Sequence, residues 1–378
     1  MYKHALITGG AGFIGSHLTD TLLARGYEVT VLDRLSSQVH ADSDLDDDGW
    51  PVYLNPRAKR IKGDILDQGL FEASIENVTH LVHLAASVGV GQSMTNIVDY
   101  TRNNVMTAAV MLEVLSQKPH TIERVAVASS MSIYGEGAYG RKSGGPTVIP
   151  RARTHEQLVN RHWELVDGDG TLAPLPTAEE KLPQPASIYA VNKRDHEEMF
   201  LSVGRALQIP TVALRLFNVY GSRQALSNPY TGVAAIFISR LLNDMPPMVF
   251  EDGEQRRDFV HVGDVAEAFA VALDSDLRVW DAFNVGSGKP VTVARMGQVL
   301  AHLLRKNIAP EIMNKYRVGD VRHCFADISK IGRVFGFEPR QSFEAGMAEL
   351  IEWVAAVKAP INRSHESFAE LQRRKLVV

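Results

Sequence analysis

Short apolar runs alternate with amphipathic stretches through the first third of the chain. "HALIT", "EVTVLD", "RIKGD", "HLVHLAA" and "RVAVASS" have the length and composition of strands. Between them "GFIGSHLTDTLLARG", "LDQGLFEASIE" and "MTNIVDYTRNNVMTAAVMLEVLSQ" carry apolar residues at helical spacing, the last as one helix over residues 94–117. This alternation predicts an α/β fold with a doubly wound parallel sheet of Rossmann type. The strands are apolar almost without interruption, as in a sheet covered on both faces.

The pattern breaks over residues 136–185. "GEGAYGRKSGGP" reads as a flexible glycine-rich loop, "RTHEQLVNRHWELV" as a helix, "DGDG" as a turn, and "LAPLPTAEEKLPQP" as proline-punctuated chain. A helix over 187–206 and the strand "TVALRLFNV" resume the α/β pattern. After Gly221 the chain mixes short elements with Pro and Gly. The expected domains are a unit over 1–217 built on the parallel sheet, with the 136–185 insertion and rejoined by part of 257–285. A smaller, mixed lobe follows over 218–378, its end read as a surface helix and tail.

Composition narrows the function classes. The chain has 378 residues, 45% hydrophobic and 22% charged, as in a soluble globular protein. A net charge of −4 carries no footprint for nucleic acid or an anionic membrane surface. No apolar run approaches the ~18 residues of a membrane span, and the N-terminus does not read as a signal peptide. Cys324 is the only cysteine, so an intrachain disulfide and a multi-cysteine zinc site are excluded, and a reducing cytosol is expected. The acidic run "DSDLDDDGWP" shows no ordered ligand spacing and reads as a solvated loop; no metal is expected.

"LITGGAGFIGSHL" lies between the first strand and helix and contains the dinucleotide fingerprint. Its glycines, Gly9, Gly12 and Gly15, permit a tight turn and close approach of a pyrophosphate. Phe13 and Ile14 begin a helix whose backbone N–H groups suit the anion. Asp33 ends the second strand, 33 − 15 = 18 residues after Gly15, where a carboxylate binds an adenosine ribose hydroxyl and repels a 2′-phosphate. NAD is therefore favoured over NADP, although Arg34 could meet a phosphate, and the glycines alone do not exclude FAD.

"SIYAVNKRDHEE" places Tyr189 and Lys193 four apart on one helix face. A phenol near ~10 is a poor base at neutral pH, and a neighbouring cation lowers it. The tuned tyrosine then takes a hydroxyl proton as hydride leaves the carbon. Ser130, in "VASSMSIYGEG", ends the fifth strand; Ser129 and Ser132 beside it read as strand-end polarity.

Together Gly9, Gly12, Gly15, Ser130, Tyr189 and Lys193 resemble the extended short-chain dehydrogenase/reductase superfamily, in its nucleotide-sugar epimerase/dehydratase branch. The resemblance runs from about Tyr2 to the region of Phe337. It implies that Asp64, with Ile65 beside it, bonds the adenine amine. It places Leu84, Ala85 and Ala86 against the dinucleotide and gives Asn104 a structural or proton-relay role. It further implies that Asn218, Arg257 and Arg317 contact the substrate diphosphate and Asp320 the nucleoside ribose. Asn228 and Tyr230 would shape the cleft, and His261 would be structural. A homodimer through the helices at 94–117 and 187–206 is expected. In related 4,6-dehydratases an Asp-Glu pair follows the hydroxyl residue, and in related decarboxylases a glutamate stands second. Here Met131 and Ser132 occupy those positions, which disfavours both reactions. What remains is epimerisation at C4 of a dTDP- or UDP-sugar with NAD. A 4-ketoreductase and a non-catalytic dinucleotide-binding regulator stay open. The insertion, which lengthens the spacing to 189 − 130 = 59, and the "SNPYTGV" block are most similar to 4-epimerases of the dTDP-L-rhamnose type, with the UDP-glucose or UDP-glucuronate type as the alternative.

Overall fold

A computed structural model describes residues 2–40, 45–224, 232–317 and 320–356. Its centre is a seven-stranded parallel sheet: β1 (His4–Thr8), β2 (Glu28–Asp33), β3 (Lys59–Lys62), β4 (His80–His83), β5 (Arg124–Ser130), β6 (Thr211–Leu216) and β7 (Trp280–Val285). The spatial order is β3-β2-β1-β4-β5-β6-β7. All pairs are parallel because each strand returns through a crossover, so both faces are covered.

One face carries α1 (Phe13–Ala24), with Leu18 and Leu22 in a core shared with Val265 and Phe269. The other carries α2 (Gln68–Ser74), α3 (Thr107–Gln117) and α4 (Ile188–Ala206), through Phe71, Met111 and Phe200. Val265 and Phe269 belong to α5 (Val262–Asp274), so a late segment covers the same face as the first helix. β7 likewise pairs with β6 from far along the chain.

After Leu216 the chain leaves the central sheet. Asn218–Tyr220 pairs with Arg256–His261, which also pairs with Pro290–Thr292 and His323–Cys324. The expected strand "TVALRLFNV" is therefore two strands in two sheets. Around them a separate core joins Phe237, Ile238, Met296, Leu300 and Met347.

Two helical expectations are corrected. Residues 94–117 do not form one regular helix: a π-helical turn, Arg102–Met106, separates Ile97–Thr101 from α3. In the insertion only His155–Val159 is helical, capped by Thr154; Arg161, at φ 57°, turns the chain out of the helix. The glycine-rich stretch is not wholly loop either. Ala138–Gly140 pairs antiparallel with Ala173–Leu175, and "DGDG" turns a hairpin between Val166–Asp167 and Gly170–Thr171. Among the described residues no helix is long and apolar enough to cross a membrane. The expected C-terminal surface helix, Asn228 and Tyr230 lie outside the described residues.

Candidate active site

Sequence order reverses between β1 and β4, which opens a crevice outside their carboxyl ends. Two loops meet there, residues 9–12 and 84–86. Gly9 sits at φ 70°, and a β-carbon on it would lie 2.6 Å from Ala85 N. A β-carbon on Gly15 would come within 2.4 Å of Gly9 O, so glycine lets α1 pack onto its own turn. Gly12 answers to a different need. Its φ is −74°, and a β-carbon there would stand 3.3 Å from Gly9 O, which a small shift relieves. It is the N-cap and offers no side chain, so the amides of Phe13 and Ile14 have no protein partner among the described residues. Bare N–H groups at a helix N-terminus fit the pyrophosphate of a dinucleotide.

Asp33 accepts hydrogen bonds from Ala11 N at 3.2 Å and Leu35 N at 2.9 Å, so it also braces this turn. Arg34 is already engaged. It donates to Asn103 Oδ1 at 3.0 Å and lies 3.8 Å from Asp64 Oδ2, so an acid neutralises the cation that could have met a 2′-phosphate. Asp64 also accepts from Leu66 N, and the Ile65 side chain is buried in the core. Leu84 and Ala85 pack on opposite faces of the sheet, and Ala86 is half-buried. Asn104 stands in the π-helical turn, a distortion frequent at functional sites. Its amide brackets the backbone of Ser87, accepting from the N–H at 2.7 Å and donating to the carbonyl at 3.0 Å. That contact is a clamp on the loop after β4.

Ser130 ends β5 and caps the short turn Met131–Tyr134. Its Oγ accepts from Ser132 N at 3.1 Å and from Ser132 Oγ at 2.9 Å. Both lone pairs are thereby taken, and the Ser130 proton is left to donate. That hydroxyl is close enough to the Tyr189 phenol to act on its ionisation. Ser187 caps α4 by accepting from Ala190 N, which sets Tyr189 in the first turn. Lys193, 4% exposed, donates from Nζ to Ala128 O at 2.7 Å. Burial lowers its ammonium to about 8. The buried imidazoles of His83 and His196 pack 4.9 Å apart near it. Burial first, and the Lys193 charge second, hold His83 at about 3 and His196 well below its ordinary value.

The expected depression of the phenol by Lys193 is not what this structure shows. Burial pushes Tyr189 up, and the neighbouring Ser130 hydroxyl is what opposes it, while the ammonium is spent on Ala128 O. Ser129 and Ser132 are also more than strand-end polarity. Ser132 holds Ser130, and Ser129 donates to Glu197 Oε2 at 2.6 Å. Glu197 in turn pairs with Arg215 of β6 at 2.6 Å, which ties α4 to the sheet.

In the second sheet Arg257, Arg317 and Asp320 come together. Asp320 Oδ1 lies 3.4 Å from Arg257 Nη2, and its Oδ2 lies 3.0 Å from Arg317 Nη2. Arg257 spends its other donors on the carbonyls of Arg256, Val321 and Arg322. The Arg317 side chain is 47% exposed against 12% for Arg257, so Arg317 is freer to meet an anion. Burial opposes ionisation of Asp320, but Arg317, Arg257 and Arg153 outweigh it and hold the carboxyl below its usual range. Asn218 carries a buried Oδ1 with no partner among the described residues. His261 caps α5 by accepting from Gly263 N. Ser132, Arg153, His83 and His196 are the neighbours that sequence reasoning missed. Nothing in their local pattern marks them.

Comparison with known proteins places this geometry. The NAD dependent epimerase/dehydratase family matches residues 5–154 and 168–286. The chain is 34% identical to dTDP-L-rhamnose 4-epimerase from Burkholderia thailandensis over 93% of its own length and 95% of that protein's. It is 31% identical to a putative UDP-glucose 4-epimerase from Methanocaldococcus jannaschii, covering 92% of this chain and 97% of that one. The solved UDP-N-acetylglucosamine 4-epimerase from Methanobrevibacter ruminantium, in complex with UDP-N-acetylmuramic acid, superposes with a TM-score of 0.75 at 29% identity, covering 94% of this chain and 99% of that one. A glycine-rich turn at the switch point, a Ser–Tyr–Lys corner and matches across nearly the whole chain agree: the chain belongs to the NAD dependent epimerase/dehydratase family.

Proposed function

We propose that the protein is an NAD-dependent nucleotide-sugar 4-epimerase acting on a dTDP- or UDP-hexose or deoxyhexose. The observation that carries this reading is the placement of the Ser130 hydroxyl next to the Tyr189 phenol, beside a buried Lys193 and with no carboxylate directly after Ser130. Tyr189 takes the C4 hydroxyl proton. Ser130, whose lone pairs are filled by Ser132, keeps its own proton to donate to the reacting oxygen. Lys193 keeps a positive charge at the end of β5, against the carbonyl of Ala128. When bound, NAD⁺ supplies the acceptor that takes the C4 hydride and returns it to the opposite face of the 4-keto sugar, and its cationic ring favours the phenolate. Phe13 and Ile14 amides would hold its pyrophosphate, with Asp33 and Asp64 at the adenosine end.

Dehydration asks for a carboxyl acid and base near C5 and C6. Met131 is packed against Ile133, Tyr134 and Phe217, and Ser132 is committed to Ser130. Glu136, Glu164 and Glu179 of the insertion are each engaged elsewhere, with Arg322 N, Arg322 and Asn284 N. On this reading the central sheet, residues 1–217 joined by part of 257–285, holds the dinucleotide. The remainder holds the nucleotide sugar through Asn218, Arg317 and the Arg257–Asp320 pair. The enzyme works in the cytosol as a homodimer, which the exposed Val90, Met94, Ile97, Val98 and Met106 support.

An NMR screen of dTDP- and UDP-sugars with the purified protein and no added cofactor tests the proposal. Interconversion of C4 epimers is expected. Consumption of a sugar only with added reductant, or loss of water or carbon dioxide from it, would replace the epimerase reading.

A further inference from the structure

The insertion over 136–185 is bound to the substrate side of the molecule by buried charge. Glu136 accepts from the backbone N–H groups of Arg322 at 2.8 Å and His323 at 3.2 Å. Glu164 meets Arg322 at 2.5 Å and His323 Nε2 at 3.0 Å. Arg322, 1% exposed, also reaches Glu251 at 3.0 Å and Asp252 at 2.6 Å. Burial opposes the charge on Glu164, but hydrogen bonds from His323 and Arg322 outweigh it and bring the carboxyl to about 2.

Arg153 is the insertion's own cation in this group. Its side chain is 5% exposed. Nη1 donates to Glu251 Oε1 at 2.8 Å and to Trp163 O at 3.2 Å, and Nη2 donates to the carbonyl of Asp320 at 3.0 Å. The residue whose carboxylate joins Arg257 to Arg317 is thus held through its backbone by a third arginine. Withdrawing the insertion would leave Glu251 and Arg322 short of partners in a buried setting, which is costly. A segment tied in this way acts as a wall and does not swing open.

We propose that Arg153 is a positioning residue for the nucleoside diphosphate: the insertion is a fixed wall of the substrate cleft that brings a third arginine to the Arg257–Arg317–Asp320 group and fixes Asp320 in place. This rests on the nucleotide-sugar reading above. Arg153 acts through Asp320, so its effect falls on affinity for the nucleotide end of the substrate. The C4 chemistry lies at the end of β5, in the other sheet, and is spared.

Calorimetric titration with UDP and with dTDP, alongside steady-state kinetics and the content of bound NAD, provides the test. Arg153→Met is expected to weaken nucleoside diphosphate binding about tenfold and to raise KM to match, the loss expected for a charged hydrogen bond. Its kcat and bound NAD should stay unchanged. Arg153→Lys keeps the charge but cannot reach all three acceptors, and should raise KM about threefold. Unchanged affinity in Arg153→Met overturns the inference, as does a fall in kcat and NAD content at constant KM, which marks a merely structural role. Should Arg153→Met fail to fold, unchanged KM in Arg153→Lys overturns it equally. If the unmodified protein binds neither UDP nor dTDP, the nucleotide-sugar reading itself falls and takes this inference with it. If it binds one of them and the variants bind as well as it does, only the role of Arg153 is lost.

Discussion

Desolvation acts on both the Ser130–Tyr189–Lys193 corner and the arginine group, yet it has opposite outcomes in them. At the corner it decides the titration: Lys193 falls to about 8 and the Tyr189 phenol is pushed up. In the arginine group partners decide it: Glu164 is brought to about 2 and Asp320 is held low against the same desolvation. Glu251, 1% exposed, marks the limit, since there burial raises the carboxyl despite Arg153 and Arg322. On the proposed reading, the difference follows from what each region would have to do. A proton-transfer site needs groups whose charge is easily gained and lost. A phosphate site needs cations that stay charged and stay where they are.

The largest effect that tests this contrast is at the corner. Tyr189→Phe should lower kcat by about 10²–10⁴-fold while leaving nucleotide binding intact, since it removes the proposed base alone. NMR rates of C4 interconversion and calorimetry read the two quantities separately. A variant with more than a tenth of the normal rate would remove Tyr189 from the proton step.

Arg322→Met probes the other region. It strands Glu164, Glu251 and Asp252, and should cost about 3–5 kcal/mol of stability, read from denaturant midpoints. A cost under ~1 kcal/mol would place this group among surface ion pairs and dissolve the comparison.

The lysine at the corner sharpens it further. A lowered folded value means Lys193 is charged below about pH 8 and neutral above it. If its charge supports the chemistry, kcat/KM falls through pH about 8 on the alkaline side. A limb at the ordinary ~10.4 would show that burial does not control this group. Stability carries the matching sign. Between about 8 and the unfolded value the unfolded chain binds more protons, so the Lys193 contribution makes stability rise with pH there. The slope should vanish in Lys193→Met.

The smallest effect concerns Ser132. Ser132→Ala keeps the N–H bond to Ser130 but removes the hydroxyl one, and should lower kcat about fivefold with KM unchanged, in line with ~1 kcal/mol for a neutral hydrogen bond. An unaltered kcat would show that the Ser130 proton needs no such direction.

Pattern alone located β1, β2 and β5 to the residue, because parallel buried strands write themselves as continuous apolar runs. It read residues 94–117 as one helix, because a π-helical turn keeps the amphipathic sequence and changes only the hydrogen-bond spacing. It extended the insertion's helix past Val159, where Arg161 takes a conformation that no apolar spacing announces. The resemblance named Arg257, Arg317 and Asp320, which the fold brings together, but not Arg153.

What the sequence pointed to by itself is the glycine-rich turn and the proposed Ser130–Tyr189–Lys193 set. Both lie in short stretches whose strand or helix supplies the spacing, so local physics is enough to mark them. Only the tertiary structure decided that Ser132 fills the lone pairs of Ser130, that Lys193 faces Ala128 O, and that the insertion is a wall anchored on Arg322. Those contacts join residues by distance and desolvation, and neither quantity exists until the chain has packed.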